Sequence, residues 1–195
     1  MTYGPRFDEA LRRFDDENSR DPKAVTVDGG SQPYELLYSK WVTEWVLRLC
    51  PQPSEALLLA ARGQHICRWM IPRKSYPMTR AGYLKWRADL KQFHAQKSAG
   101  ILREVGYGED LVARVQELNL KNNLAHDPEC QVLEDALCLV TLQHQLTDLI
   151  DKTESEKMVG ILQKTWKKMS PAAREQALAL HFSEREKELL QRARA

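Results

Sequence analysis

Apolar residues recur three or four positions apart through almost the whole chain, and prolines, glycines and capping residues separate one such segment from the next. This spacing places apolar side chains along one face of an α-helix. It therefore predicts one all-α globular domain over residues 1–195, with about seven to nine helices. The segments lie at about 5–18, 33–49, 55–69, 80–105, 108–120, 128–150, 154–169 and 183–195, with a restart at Ser170-Pro171.

The core is expected to span about residues 6–180, followed by a charged terminal helix over 183–195. Val25-Thr26-Val27, followed by Asp28-Gly29-Gly30, is the one strand-like piece, and it is too short to organise a sheet. The run Ala56 to Ala61 is apolar nearly all round, which predicts the central buried helix. The second half of this predicted helix, residues 62–69, is polar, either because it opens onto a site or because it emerges at the surface.

Residues 62–91 carry eight lysines or arginines and one aspartate, a formal charge of +7. The whole chain is +2, so the remainder sums to −5. The same stretch contains Trp69, Tyr76, Tyr83 and Trp86. Guanidinium groups bind phosphate or carboxylate through paired hydrogen bonds, and aromatic rings offer stacking surfaces. The stretch therefore predicts a pocket for an anionic, partly planar ligand.

Arg80, Arg87 and His94 are seven residues apart in the predicted 80–105 helix. Seven residues drift only about 20° around a helix, so these side chains line one stripe of about 21 Å. The alternative is a solvated basic face. We expect the stripe, the His65 helix end and the loop of residues 70–78 to converge on one cleft. The candidate ligand-binding residues are Arg68, Arg73, Tyr76, Arg80, Tyr83, Arg87 and Lys91.

His65 and His94 are the candidates for proton transfer, because His65 shares a helix face with Arg62 and Arg68 and His94 continues the stripe of Arg80 and Arg87. The alternative for His65 is a half-buried histidine bonded to a backbone carbonyl. Glu134 and Asp135 follow each other within a Leu-rich helix, and adjacent helical side chains point about 100° apart. At most one of these acids is therefore expected to face the core, where it needs a partner. The alternatives are a salt bridge with an arginine and a metal or catalytic role.

The run from Gln64 to His94, with LEDALCLV and KTWKKMS further on, resembles a microbial family of domains of unknown function. Some members carry a glutamyl-tRNA synthetase label. The resemblance covers roughly residues 6–180 and implies no established activity. The chain lacks the strand, glycine-rich turn and helix on which the signature motifs of those synthetases bind ATP.

Residues 58–66, His94-Ala95 and the 133–136 segment LEDA also resemble, more distantly, the HD superfamily of all-α metal-dependent phosphohydrolases. This resemblance implies an HD-like fold and a divalent metal bound by His65, His94 and Asp135, supported by Glu134. Ile66 stands where the second residue of the His-Asp doublet would be. We therefore expect less than one equivalent of metal.

Two functions remain open. The first is a degenerate hydrolase or lyase that acts on a phosphorylated, nucleotide-like small molecule. The second is a non-catalytic module that senses an anionic metabolite or binds an RNA end. The near-neutral net charge argues against non-specific nucleic-acid binding. No apolar run approaches the roughly 20 residues of a membrane span, and the first residues lack an apolar signal core, so a cytoplasmic protein is expected.

Overall fold

This computed structural model describes residues 3–27 and 29–194. They contain ten α-helices and one β-hairpin, joined by loops and short turns. The prediction of a single globular, helical domain is confirmed. The elements are α1 (Pro5–Asn18), β1 (Ala24–Val27), β2 (Gly30–Pro33), α2 (Tyr34–Leu49), α3 (Glu55–Gly63), α4 (Arg80–Val105), α5 (Glu109–Leu120), α6 (Pro128–Val140), α7 (Leu146–Asp151), α8 (Ser155–Lys168), α9 (Pro171–Leu178) and α10 (Glu184–Arg194).

Helix α3 lies at the centre of the core, as its all-round apolar character predicts. Leu57, Leu59 and Ala60 are fully buried, and the helix contacts α1, α2, α4, α5 and α6. One connected cluster of buried apolar side chains extends from Phe7 in α1 to Ala193 in α10. The charged terminal helix therefore belongs to this core through its apolar face. None of the helices in the described ranges is both long and apolar enough to cross a membrane.

The end of α3 differs from the prediction, because the helix stops at Gly63 rather than near residue 69. A Cβ atom at Gly63 would lie 2.5 Å from the Ser98 Oγ atom, so α3 packs directly on α4 there. Cys67 then takes a left-handed conformation (φ 52°), and its N–H donates to the Asn18 side chain at 3.0 Å. A left-handed non-glycine residue costs roughly 1–2 kcal/mol, which the buried contact to Asn18 helps to offset.

The strand-like piece is half of a hairpin. β1 pairs antiparallel with β2, from Ala24 opposite Pro33 to Val27 opposite Gly30. The prediction missed β2 because its sequence, Gly-Ser-Gln-Pro, lacks the β-branched and aromatic residues that are typical of strands. Asp28, in the predicted turn, lies outside the described residues.

The predicted 128–150 helix is divided by one π-helical turn, Thr141–Gln145, which separates α6 from α7. Such turns insert an extra residue into a helix and occur frequently at functional sites. The apolar spacing does not reveal this turn, since Leu142, Leu146 and Ile150 continue the buried face beyond it. The division of this helix takes the number of helices above the predicted range.

The loop of residues 70–78 is fastened to the first turns of α4. The Trp86 Nε1 atom donates to the Ile71 carbonyl at 2.9 Å. A Cβ atom at Gly82 would lie 2.2 Å from the Pro77 carbonyl oxygen, so only glycine permits this approach. The loop therefore covers one side of α4 and leaves the segment around His94 free to face the helices that follow.

Candidate functional site

A cleft of about 450 Å³ lies between the end of α3, the middle of α4, and helices α6 and α8. We call it the cationic cleft. Its charged lining, among the described residues, is Arg68, Arg87, Lys91, Lys121, Glu134 and Lys168. Its ring-bearing lining is Tyr38, His65, Tyr83, Trp86 and His94.

Glu134 is the carboxylate in this lining, and two lysines already neutralise it. It is 6% exposed, it forms a short ion pair with Lys121, and its Oε1 atom lies 3.2 Å from the Lys168 ammonium. Burial by itself raises the pKa of Glu134, but the two lysines hold that pKa below its ordinary value. The carboxylate therefore stays charged and leaves the other cations of the cleft unbalanced.

Arg87 and Lys91 have no carboxylate within 4 Å in the part of the chain that the structure describes. The Lys91 ammonium donates to the Leu120 carbonyl at 3.4 Å, and the Arg87 guanidinium donates to the Tyr83 hydroxyl at 3.4 Å. Burial, with the neighbouring charges of Lys121 and Arg87, lowers the pKa of Lys91. Glu134 raises this pKa and only partly offsets burial and the neighbouring cations.

His94 is 3% exposed, and its orientation is set by the turn that ends α3. Its Nδ1 atom donates to the Ile66 carbonyl at 2.8 Å, so the Nε2 atom carries the lone pair. Nε2 has no hydrogen-bond partner among the described residues. Burial, followed by the neighbouring His65, lowers the pKa of His94 to about 3. The ring is therefore neutral at physiological pH and presents an unused acceptor.

His65 lies beside His94, with 5.7 Å between the ring centroids. It stacks on Tyr38 at a centroid distance of 4.2 Å and an interplanar angle of 8°. Burial, followed by Arg68, Lys121 and Arg87, lowers the pKa of His65 well below its ordinary value. Two neutral imidazoles thus lie next to cations, an arrangement suited to a ligand that brings negative charge.

Glu35 in α2 is a site residue that the sequence analysis missed. Its Oε2 atom lies 3.5 Å from the His65 Nδ1 atom, and its Oε1 atom lies 3.9 Å from the Arg68 guanidinium. Burial raises the pKa of Glu35 to about 8, since Arg68 only partly offsets the loss of water. The carboxyl is therefore protonated at neutral pH. An acid on the apolar face of a predicted helix was the signal that could have indicated it.

Arg73, Tyr76 and Arg80 do not line the cationic cleft. The Arg73 guanidinium donates to the carbonyls of Tyr76 at 3.0 Å and Pro77 at 2.8 Å, and the Tyr76 hydroxyl donates to Asp89 at 2.9 Å. These two side chains fasten the loop. Arg80 is exposed at the start of α4, about 10 Å along the helix axis from Arg87. The expected convergence therefore holds for Arg68, Tyr83, Arg87, Lys91 and the two histidines.

The two adjacent acids of α6 are both buried, so the expectation that at most one faces the interior is wrong. Glu134 faces the lysines, whereas Asp135, 3% exposed, faces α9. The Asp135 Oδ1 atom accepts from the Ser170 N–H and from the Gln131 amide, both at 2.9 Å. Because different elements cover both sides of α6, a separation of 100° still leaves both side chains inside. The partners are two lysines for Glu134, and a backbone N–H and a glutamine amide for Asp135, rather than an arginine.

The metal site that the HD resemblance implies does not fit these positions. Asp135 is not part of the cleft lining, and its Oδ1 atom already accepts a hydrogen bond from the Ser170 N–H at the start of α9. Within residues 3–27 and 29–194, no three His, Cys, Asp or Glu side chains are grouped closely enough to hold a metal ion. Of the three ligands that the resemblance implies, only His65 and His94 line the cleft, and two ligands fall short of the three or more protein ligands usual at such sites.

The fold and the cleft define a helical protein with a histidine-containing cationic cleft. The chain belongs to the family described as Domain of unknown function (DUF4202), whose model matches residues 8–190. The predicted resemblance to an uncharacterised family is confirmed. No curated protein matches the chain, and no solved structure matches it either.

Proposed function

We propose that the cationic cleft binds a phosphorylated small molecule. The observation that carries this proposal is the charge of its lining, in which Arg68, Arg87 and Lys91 lack an ionised partner within hydrogen-bonding distance among the described residues. Their mutual repulsion raises the free energy of the empty state, and a phosphate group relieves it. Phosphate also suits Arg87 and Arg68 because each guanidinium can donate two parallel hydrogen bonds.

The binding test is a thermal-shift screen of nucleotides, phosphosugars, pyrophosphate and dicarboxylates. A compound at about 100 times its dissociation constant adds roughly 2.7 kcal/mol to the free energy of unfolding, about 5–10 °C for a chain of this size. We expect at least one phosphate compound to give such a shift, and we expect added salt to weaken it. The shift is expected to disappear in Arg87→Ala.

Arg185→Ala is the matched control, because Arg185 is exposed on α10 and pairs with Asp151. It is expected to keep the full shift. If no anion raises the melting temperature, or if the two arginine variants respond alike, the proposal fails. The same screen includes a short 5′-phosphorylated RNA. A shift in melting temperature with this RNA, and with none of the small phosphate compounds, would identify the ligand as an RNA end rather than a metabolite.

A second candidate function is acid–base catalysis on the bound phosphate compound, as a hydrolase or lyase with a distant HD likeness. The unpartnered Nε2 atom of His94 favours it, since a neutral imidazole with a free lone pair accepts a proton and a bound phosphate would raise its pKa from about 3 toward the working pH. Synthetase activity is not proposed, because the strands of the described chain form only a two-stranded hairpin. No step is assigned to a metal.

His94→Asn tests this candidate, because asparagine keeps an N–H for the Ile66 carbonyl and removes Nε2. Product formation from a compound that binds, followed by phosphorus NMR, is expected to fall at least tenfold in the variant, while the thermal shift is retained. If the unsubstituted protein converts none of the compounds that bind to it, catalysis is ruled out and binding remains.

A further inference from the structure

A second cavity, of about 720 Å³, adjoins the cationic cleft. Its walls come from β1, the first turns of α2, the π turn and α7. We call it the hairpin cavity. Four side chains line both cavities: His65, Arg68, Gln145 and Leu149. The two spaces therefore adjoin at the His65 imidazole and the Arg68 guanidinium, and a ligand that passes these side chains would occupy both.

The chemistry of the hairpin cavity is different from that of the cleft. Tyr34 and Trp41 contribute aromatic rings, 6.4 Å apart and nearly perpendicular. Gln143 and Gln145 contribute amides, and the Gln145 amide nitrogen donates to the Tyr34 hydroxyl. These groups offer flat apolar surface together with hydrogen-bond donors and acceptors. These aromatic and amide groups suit an uncharged planar group with polar edges, and the charged part of the lining, Lys23, Arg68, Asp148 and Lys152, lies beside them.

Glu35 gives an independent indication of a ligand in this cavity. The side chain is 5% exposed and lines the cavity, and its Oε2 atom makes no hydrogen bond among the described residues, with the His65 Nδ1 atom 3.5 Å away. A buried polar atom without a partner costs about 1–3 kcal/mol, so such atoms are rare unless something binds to them. A protonated carboxyl presents one O–H donor beside one carbonyl acceptor. That pair is complementary to the adjacent donor and acceptor on the edge of a nucleobase.

We propose that the hairpin cavity holds the nucleoside part of a nucleotide whose phosphate lies in the cationic cleft. This inference rests on the proposed function, since it assigns the ligand class of the same site. The phosphate lies against Arg68 at the junction and against Arg87 beyond it. The base lies beside the rings of Tyr34 and Trp41, with its polar edge toward the Glu35 carboxyl; His144 already stacks on one face of Trp41 at 3.8 Å. Pyrophosphate or a phosphosugar would leave those rings and that carboxyl without a role.

The test compares four nucleoside 5′-monophosphates with ribose 5-phosphate and pyrophosphate by titration calorimetry at pH 7. We expect at least one nucleotide to bind ten times more tightly than ribose 5-phosphate. Trp41→Ala and Glu35→Leu are each expected to remove that advantage and to change the affinity for pyrophosphate less than twofold. Arg87→Ala is expected to weaken binding of both nucleotide and pyrophosphate. Arg185→Ala is expected to change neither.

The pyrophosphate measurement separates the possible failures. If Trp41→Ala loses pyrophosphate binding as well, that variant has lost its fold, and Glu35→Leu decides the question. Equal affinity of the unsubstituted protein for nucleotides and ribose 5-phosphate overturns the nucleoside assignment and leaves phosphate binding intact. A nucleotide advantage that persists in a folded Trp41→Ala and in Glu35→Leu also overturns it. Absence of binding by every phosphate compound overturns the proposed function itself.

Discussion

Replacement of Glu134 by glutamine is expected to lower the free energy of unfolding by about 3 kcal/mol and to tighten the binding of pyrophosphate at least fivefold. The stability falls because Lys121, whose side chain is 13% exposed, loses its ionised partner. Breaking a buried ion pair costs about 3–5 kcal/mol, and the amide oxygen that remains places the expected loss at the lower end. Urea denaturation at pH 7 measures it.

Affinity increases in the same variant because the cleft loses the carboxylate that Lys121 and Lys168 neutralise. A fivefold change corresponds to about 1 kcal/mol, a small part of the interaction between unit charges a few ångströms apart. Glu156→Gln is the control, since its ion pair with Arg192 lies at the surface of α8 and contributes at most about 1 kcal/mol. A variant that loses stability without gaining affinity would show that the lysines do not face the ligand.

The free energy of unfolding is expected to decrease with rising pH because of Glu35. Its pKa is about 8 in the folded protein, raised from an ordinary value of 4.5. Between these values the folded state keeps a proton that the unfolded chain has lost. The contribution of this group is fully present below about pH 4.5 and is lost as pH rises through 8. The slope is about 1.4 kcal/mol per pH unit, or about 4 kcal/mol between pH 5 and pH 8.

Glu35→Gln provides the reference for this measurement, because glutamine has nearly the same shape and does not titrate. Asp21, Lys23, His65 and Arg68 are the charged or titratable neighbours, and they are the same in both proteins. Lowered histidine pKa values act in the opposite direction below about pH 6.5, so only the difference between the two proteins is informative. A difference that stays constant in urea titrations from pH 5 to pH 8 would mean that Glu35 is ionised in the folded state.

Helical periodicity predicts the order and extent of most elements, since long amphipathic segments reflect local backbone geometry. The deviations arise where contacts between segments that are distant in the sequence determine the local backbone structure. At the end of α3, Gly63 lies against Ser98 of another helix, and the left-handed Cys67 is held by Asn18. β2 forms because β1 is beside it rather than because its own residues favour a strand. Such contacts leave no periodic pattern in the sequence.

The candidate site divides in the same way. Arg87, Lys91 and His94 are on one helix, so their spacing alone brings them together. Lys121 and Lys168 come from the end of α5 and the end of α8, and no local pattern relates them to α4. Composition also cannot distinguish Arg73, which binds loop carbonyls, from an arginine that faces a cleft.

The π turn at Thr141–Gln145 contributes side chains to the walls of both cavities. Gln145, in the turn, and Leu149, beyond it, line both cavities at their junction. A helical residue rotates the chain by about 100°. Loss of the extra residue of the turn would therefore rotate both side chains away from the junction. A change in the length of this turn would therefore alter both chambers at once, since Thr141 lines the cleft and Gln143 to Gln145 line the hairpin cavity.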